Sequence, residues 1–242
     1  MEYYTRDGKC VNYKCDISSE MKGKQSIVYR LLDDPLRCLK VYLLDEQVEE
    51  MYRGSNKHFG CDMFYYLKYD FNHPNFYKLD ELLFDDKLKV VLSYTLKYYE
   101  QMVENILDLP VSYLLDNYNL LYNAVVRLAT DFVMTLDLHE GNIINTSDGM
   151  VVIDCDQYVR GNDRNYVSYF NREALLYAFY RMIKSAFKKK GIDVDKEMNL
   201  KFKLLGMFNM DSSILSDFSP LTLKNKLRGC KTSMDYFDRW KF

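Results

Sequence analysis

Several features that would point to a function are missing from this chain. Its six cysteines, at 10, 15, 38, 61, 155 and 230, form no CxxC pair, and its three histidines, at 58, 73 and 139, complete no zinc-ligand spacing. A zinc-built domain is thereby excluded, and reduced, mostly buried thiols are expected. There is no apolar run of about 18 residues, the length a membrane-spanning helix needs. The opening MEYYTRDGKC has no apolar signal core. A soluble cytoplasmic protein without a membrane partner is the expectation. Nor is there an excess of positive charge: 33 Lys and Arg face 35 Asp and Glu, for a net charge of −2. No global basic field argues for nucleic acid. Repeats and low-complexity linkers are absent too.

Aromatic and apolar residues are abundant. The 242 residues are 48% hydrophobic, which is enough for a large core in one domain or two lobes. The 22 Tyr and 14 Phe spread along the whole chain, a distribution that suits core and half-buried surface better than a base-stacking platform.

The first ninety residues read mainly as strands. Ser26–Leu32 and Arg37–Leu43 are short and rich in β-branched and aromatic residues, with Asp33–Pro35 as the turn between them. Polar Asp45–Arg53 reads as a helix stopped near Gly54, and a second helix is expected from about Asp62 to Tyr69. Phe76–Leu83 and Lys87–Tyr94 form another hairpin, joined at Asp85–Asp86. From Lys97 the apolar spacing becomes helical: Lys97–Leu109, then Val111–Val133 beyond Pro110. One stripe runs through Leu114, Leu115, Tyr118, Leu121, Ala124, Val125, Leu128 and Phe132. Asn171–Lys190 is a further helix, ending in lysines and Gly191. The expected fold is α+β and bilobal, with a small antiparallel β-rich lobe over 1–95 and a larger helical lobe over 96–242.

The stretch TLDLHEGNIINTSDGMVVIDCD, residues 135 to 156, carries the chemistry. A long helix precedes it, and its two apolar runs are spaced as a hairpin that returns Asp154 beside the loop holding Asp137 and Asn142. Three oxygen-bearing side chains at one point suit a hard cation such as Mg²⁺. Buried carboxylates without a partner are costly, so a cation is a natural companion. Turn capping is the alternative use of Asp and Asn here.

Asp137-x-x-x-x-Asn142 followed by an apolar strand ending in Asp154 resembles the catalytic loop and metal-binding Asp of the protein-kinase-like superfamily. DLHEGN is similar to the DLHPGN form of aminoglycoside phosphotransferases and several atypical kinases. The resemblance implies that Asp137 orients or deprotonates an acceptor hydroxyl, while Asn142 and Asp154 hold metal ions bridging the phosphates of ATP. Upstream, Gly23-x-x-Ser26-x-Val28 falls where a phosphate-covering loop belongs. Lys40 falls where the kinase strand lysine belongs, which implies contact with the α- and β-phosphates. The stretch from His73 to Thr95 resembles the fourth and fifth kinase strands, which implies Leu92 at the inner wall of the pocket and Ser93, Tyr94 and Thr95 at an adenine-binding hinge.

The departures from that pattern are specific. Met21 and Ser26 replace two of the usual three glycines, Leu136 stands where many protein kinases have Arg, and Asp154–Cys155–Asp156 replaces DFG. Asp156 is then either a further metal carboxylate or a turn cap. No APE motif follows, and 157–171 is short for an activation segment. Among Glu46, Glu49, Glu50 and Asp62, Glu50 is the expected partner of Lys40. His139 is expected to hydrogen-bond within its loop rather than act as a base. The leading expectation is an ATP- and Mg²⁺-dependent kinase acting on a protein Ser/Thr hydroxyl. The alternatives are a small-molecule kinase of aminoglycoside or choline type, and a pseudokinase scaffold. The basic runs Lys188–Lys190 and Lys224–Lys241 read as solvated surface.

Overall fold

The computed structural model describes residues 2–23, 26–43, 73–76, 79–85, 91–154, 158–192 and 229–238. Seven strands form one antiparallel sheet: β1 (Glu2–Tyr4), β2 (Cys10–Asn12), β3 (Cys15–Lys22), β4 (Ser26–Leu31), β5 (Arg37–Tyr42), β6 (Leu79–Phe84) and β7 (Val91–Lys97). Their spatial order is β2-β1-β6-β7-β5-β4-β3. Period-two alternation divides the sheet into two faces. Cys38, Tyr42, Leu82, Phe84, Tyr94 and Leu96 join the main core, whereas Leu31, Leu39 and Leu83 pack with Tyr3 in a smaller outer cluster.

The second half is built on two long helices, α1 (Val111–Thr130) and α2 (Arg164–Lys189). Between them lie β8 (Val133–Thr135), a 3-10 turn over Glu140–Asn142, the hairpin β9 (Ile143–Thr146) and β10 (Gly149–Val152), and β11 (Tyr158–Arg160). A short helix, α3 (Ser233–Asp238), docks where Ser233 N–H and Met234 N–H donate to Leu109 O and Leu107 O. Leu114, Leu121, Val125 and Leu128 of α1 are wholly buried, as the apolar stripe requires. Each such leucine contributes about 2 kcal/mol through removal from water. The architecture is α+β, a curled antiparallel sheet followed by a helical lobe. Among the described residues, no helix is long and apolar enough to cross a membrane.

Both expected hairpins form. Ser26–Leu31 pairs antiparallel with Arg37–Tyr42, and Leu79–Phe84 with Val91–Lys97. The second hairpin sits about three residues later than its apolar pattern suggested, because Phe76 leaves the sheet for an isolated parallel bridge with Val152. The helix expected over Lys97–Leu109 does not form. Tyr98 N–H donates to Leu36 O and Met102 N–H to Asn145 O, so these amides are drawn to distant partners and no helical ladder closes. α1 ends at Thr130, short of Val133, because Phe132 adopts a φ of 62° and Val133 pairs with Arg160 in the β8–β11 ladder. α2 starts seven residues ahead of Asn171, where Asp163 caps it by accepting from Tyr166 N–H at 2.9 Å. The helices expected over 45–53 and 62–69, with Glu46, Glu49, Glu50 and Asp62, lie outside the described residues, as do residues 155–157 with Asp156.

Candidate active site

A cleft of about 390 Å³ separates the inner face of the sheet from the β9–β10 hairpin, a size that suits a small organic ligand. Its upper wall is Gly23 just past β3, Ser26 and Val28 from β4, Cys38 and Lys40 from β5, and Tyr94 and Leu96 from β7; Ile144, Ile153 and Asp154 close it from below. Strand register explains the upper set. Val28 and Lys40 are directly paired across β4 and β5, and Lys40 and Tyr94 across β5 and β7. Gly23 N–H donates to Ser26 O at 2.8 Å, and both residues line the cleft.

Lys40 is buried, and its ammonium forms an ion pair with the Asp154 carboxylate. The Tyr94 hydroxyl donates to the same carboxylate oxygen at 3.5 Å. Asp154 itself has φ 60°, a left-handed conformation that Asp tolerates better than most residues but still at a cost. The side chains of Ser93 and Thr95 face the opposite side of the sheet: Ser93 Oγ donates to Lys40 O at 2.7 Å, and Thr95 Oγ1 accepts from Arg37. Tyr94 thus stands deep beside Lys40, and the chain reaches the mouth of the cleft only at Lys97, Tyr98, Tyr99 and Gln101. The segment passing the mouth lies four to six residues beyond the expected hinge Ser93–Thr95, because β7 continues to Lys97. The side chain of Leu92 lies outside the described residues.

Below the cleft, a 3-10 turn shapes the loop from Asp137 to Asn142. Asn142 Nδ2 donates to Asp137 O at 2.9 Å and to Asp137 Oδ2 at 3.1 Å. His139 caps the turn: its Nδ1 accepts from Gly141 N–H at 3.0 Å, which turns Nε2 towards Asp137 Oδ1, 3.5 Å away. A side chain at position 141 would meet the His139 ring at 2.9 Å, so only glycine allows that cap. Ile153 N–H donates to Asn142 O at 2.8 Å, which joins this loop to the strand end carrying Asp154. Asp137, Asn142 and Asp154 are thereby tied into one loop-and-hairpin unit.

No family model matches the sequence, and no curated protein matches it. The fold does have solved counterparts. The structure of the autoinhibited serine kinase domain of the giant muscle protein titin superposes with a TM-score of 0.53 at 12% identity, over 93% of this chain and 80% of that one. The chain has a protein-kinase-like fold.

Within this kinase-like fold, the described residues include no group of three or more His, Cys, Asp or Glu able to hold a metal unaided. The oxygen donors present are the Asp154 carboxylate and the carbonyl of Asn142, whose amide nitrogen is already engaged by Asp137. Oxygen donors of this kind suit a hard cation such as Mg²⁺.

Buried asparagines, which sequence reasoning missed, hold the kinase-like loop in place. Asn171, fully buried in α2, accepts from Thr135 N–H at 3.0 Å and donates to Val133 O at 2.9 Å and Val125 O at 3.3 Å. It fixes the strand that enters the Asp137 loop. Asn117 Oδ1 accepts from Met150 N–H at 2.6 Å, and Asn75 Nδ2 donates to Met150 O at 2.8 Å, so one residue of β10 is held from two sides. Gly149, at φ 128°, has Asn117 Oδ1 2.7 Å from where a Cβ would stand. For Asn117 and Asn171 the sequence cue was Asn within an otherwise apolar helical run.

Proposed function

We propose that the chain transfers the γ-phosphoryl group of Mg-ATP to a hydroxyl, with a protein Ser or Thr as the leading acceptor. The observation that carries the reading is the meeting of Lys40 with Asp154, 114 residues apart, at the wall of a ligand-sized cleft beside the Asp137 loop. In this reading residues 1–95 cover the nucleotide and residues 96–242 bring the acceptor and the metal-holding side chains. Val28 packs on the base, Tyr94 closes the rear, and Gly23 and Ser26 overhang the phosphates. Lys40 binds the α- and β-phosphates. Asn142 and Asp154 would hold the metal, which would supply charge neutralisation. Phosphoryl transfer asks mainly for position and electrostatics. Asn142 Nδ2 donates to Asp137 Oδ2, which supports reading that carboxylate as the acceptor for the proton of an attacking hydroxyl.

A second reading has a specific observation behind it. The Asp154 carboxylate is engaged by Lys40, and the turn above the cleft retains only Gly23 of the usual glycines. A nucleotide-binding scaffold without turnover is consistent with both. Melting the protein with and without ATP and Mg²⁺ separates a binding cleft from an empty one, since a bound ligand raises stability by mass action. Incubation with γ-labelled ATP and protein or small-molecule hydroxyl acceptors, comparing the parent with Asp137→Ala, separates enzyme from scaffold. Label transfer that survives the substitution undamaged refutes the assignment of Asp137.

A further inference from the structure

The cleft contains an arrangement that phosphate binding alone does not account for. Lys40 and Tyr42 lie two residues apart on β5 and so share one face of the sheet, while Tyr94 is the cross-strand partner of Lys40 on β7. The Lys40 ammonium lies 5.5 Å from the centre of the Tyr42 ring and 5.4 Å from that of Tyr94. The two rings meet edge to face, 5.8 Å apart at 62°. All three residues are buried, with Lys40 at 7%, Tyr42 at 4% and Tyr94 at 1% exposure. An ammonium removed from water is attracted by the negative faces of aromatic rings, and the attraction grows as solvent is excluded.

We propose that Tyr42 and Tyr94 form a two-ring seat that positions the Lys40 ammonium for its phosphate ligand. The inference rests on the nucleotide-binding reading above and deepens it by naming two positioning residues. The seat belongs entirely to neighbouring strands of one sheet, so strand pairing sets the direction of the lysine before any ligand arrives. The ion pair with Asp154 supplies charge, and the rings supply direction. When phosphates enter, the ammonium shifts between anions without leaving the rings, so little order has to be created on binding.

The test uses the full chain with Tyr42→Phe, Tyr42→Leu and Tyr42→Met. In isotope-labelled protein without nucleotide, the Lys40 side-chain methylene protons, identified by their loss in Lys40→Arg, are expected well upfield from ring currents. That shift persists in Tyr42→Phe and diminishes in Tyr42→Leu, where only the Tyr94 ring remains. In parallel, KM for ATP stays within about twofold in Tyr42→Phe and rises about tenfold in Tyr42→Leu, with kcat little changed, as loss of a desolvated cation–ring contact predicts. Tyr42→Met, which keeps bulk without a ring, stands in if Tyr42→Leu does not fold. An ordinary Lys40 shift in the parent overturns the seat without any variant. So does Tyr42→Phe behaving as badly as Tyr42→Leu, which would put the effect in the hydroxyl. A parent that neither binds nor turns over ATP overturns the kinase reading, and the proton shifts then decide the seat independently.

Discussion

The two walls of the cleft are held by different physics. The upper wall is set by strand register: once β4, β5 and β7 pair, Val28, Lys40 and Tyr94 must line up on one face. The lower wall has little regular structure and is held by side chains bonding to backbone. Asn171 pins the approach to Asp137, Asn142 ties the loop to itself, and Asn117 with Asn75 clamps the hairpin that ends at Asp154. Register spreads its cost over many weak contacts. A buried amide concentrates it, because removing one leaves several backbone groups dry and unpaired.

That contrast can be broken experimentally. The largest expected effect is catalytic: under the proposed phosphoryl transfer, in which both groups act on transferred charge, Asp154→Ala and Lys40→Ala, one from each wall, each lower turnover by about 10³-fold or more in a labelled-ATP assay. Next comes Asn171→Leu, which strands Thr135 N–H and Val133 O in the core. It is expected to cost about 3 kcal/mol, or roughly 6–12 °C in melting temperature. Gly149→Ala follows at about 2 kcal/mol by denaturant titration, since φ 128° strains any side chain and Asn117 blocks the space. On the upper wall, Ser93→Ala removes the bond to Lys40 O for about 1 kcal/mol. If Ser93→Ala proves as damaging as Asn171→Leu, the distinction between the walls fails.

The smallest effect is a pH dependence. Burial, aided by the positive charge of Arg127, holds His73 below the ordinary imidazole range. Its folded value is depressed, so the neutral form belongs to the fold. The associated stability is complete above the unfolded value of about 6.5 and is lost as pH falls through the lower folded value. His73→Gln should flatten the stability profile below about pH 6.5 and leave it unchanged at pH 8.

The difference between the walls also explains what was legible in the sequence. The β-branched and aromatic residues of Ser26–Leu31 and Arg37–Tyr42, with the Asp33–Pro35 turn between them, exposed the hairpin bearing Lys40, and the stripe of α1 exposed the helix behind the loop, because buried regular elements mark themselves with short apolar runs or a repeating apolar face. The hairpin ending at Asp154 was visible for the same reason. The anchoring asparagines were not, since Asn117 and Asn171 look like interruptions of helical patterns and their partners are backbone groups without sequence identity. The extent of α2 was obscured by exposed Tyr166 and Tyr169 in its first turns. The stretch after Tyr94 failed for a third reason: its apolar spacing suits a helix, but Leu36 and Asn145 take the amides of Tyr98 and Met102. Long-range hydrogen bonding overrode local preference there.

Cys38 lines the cleft on the same strand as Lys40, with its thiol donating to Lys97 O at 3.9 Å and burial pushing its pKa up to about 12. At neutral pH the reactive thiolate is then rare. An electrophilic warhead delivered into this crevice would find a soft, unreactive surface there. Inhibitor chemistry aimed at this protein is therefore steered towards reversible contacts, and acrylamide-type capture at this position should be slow enough to serve as a negative control.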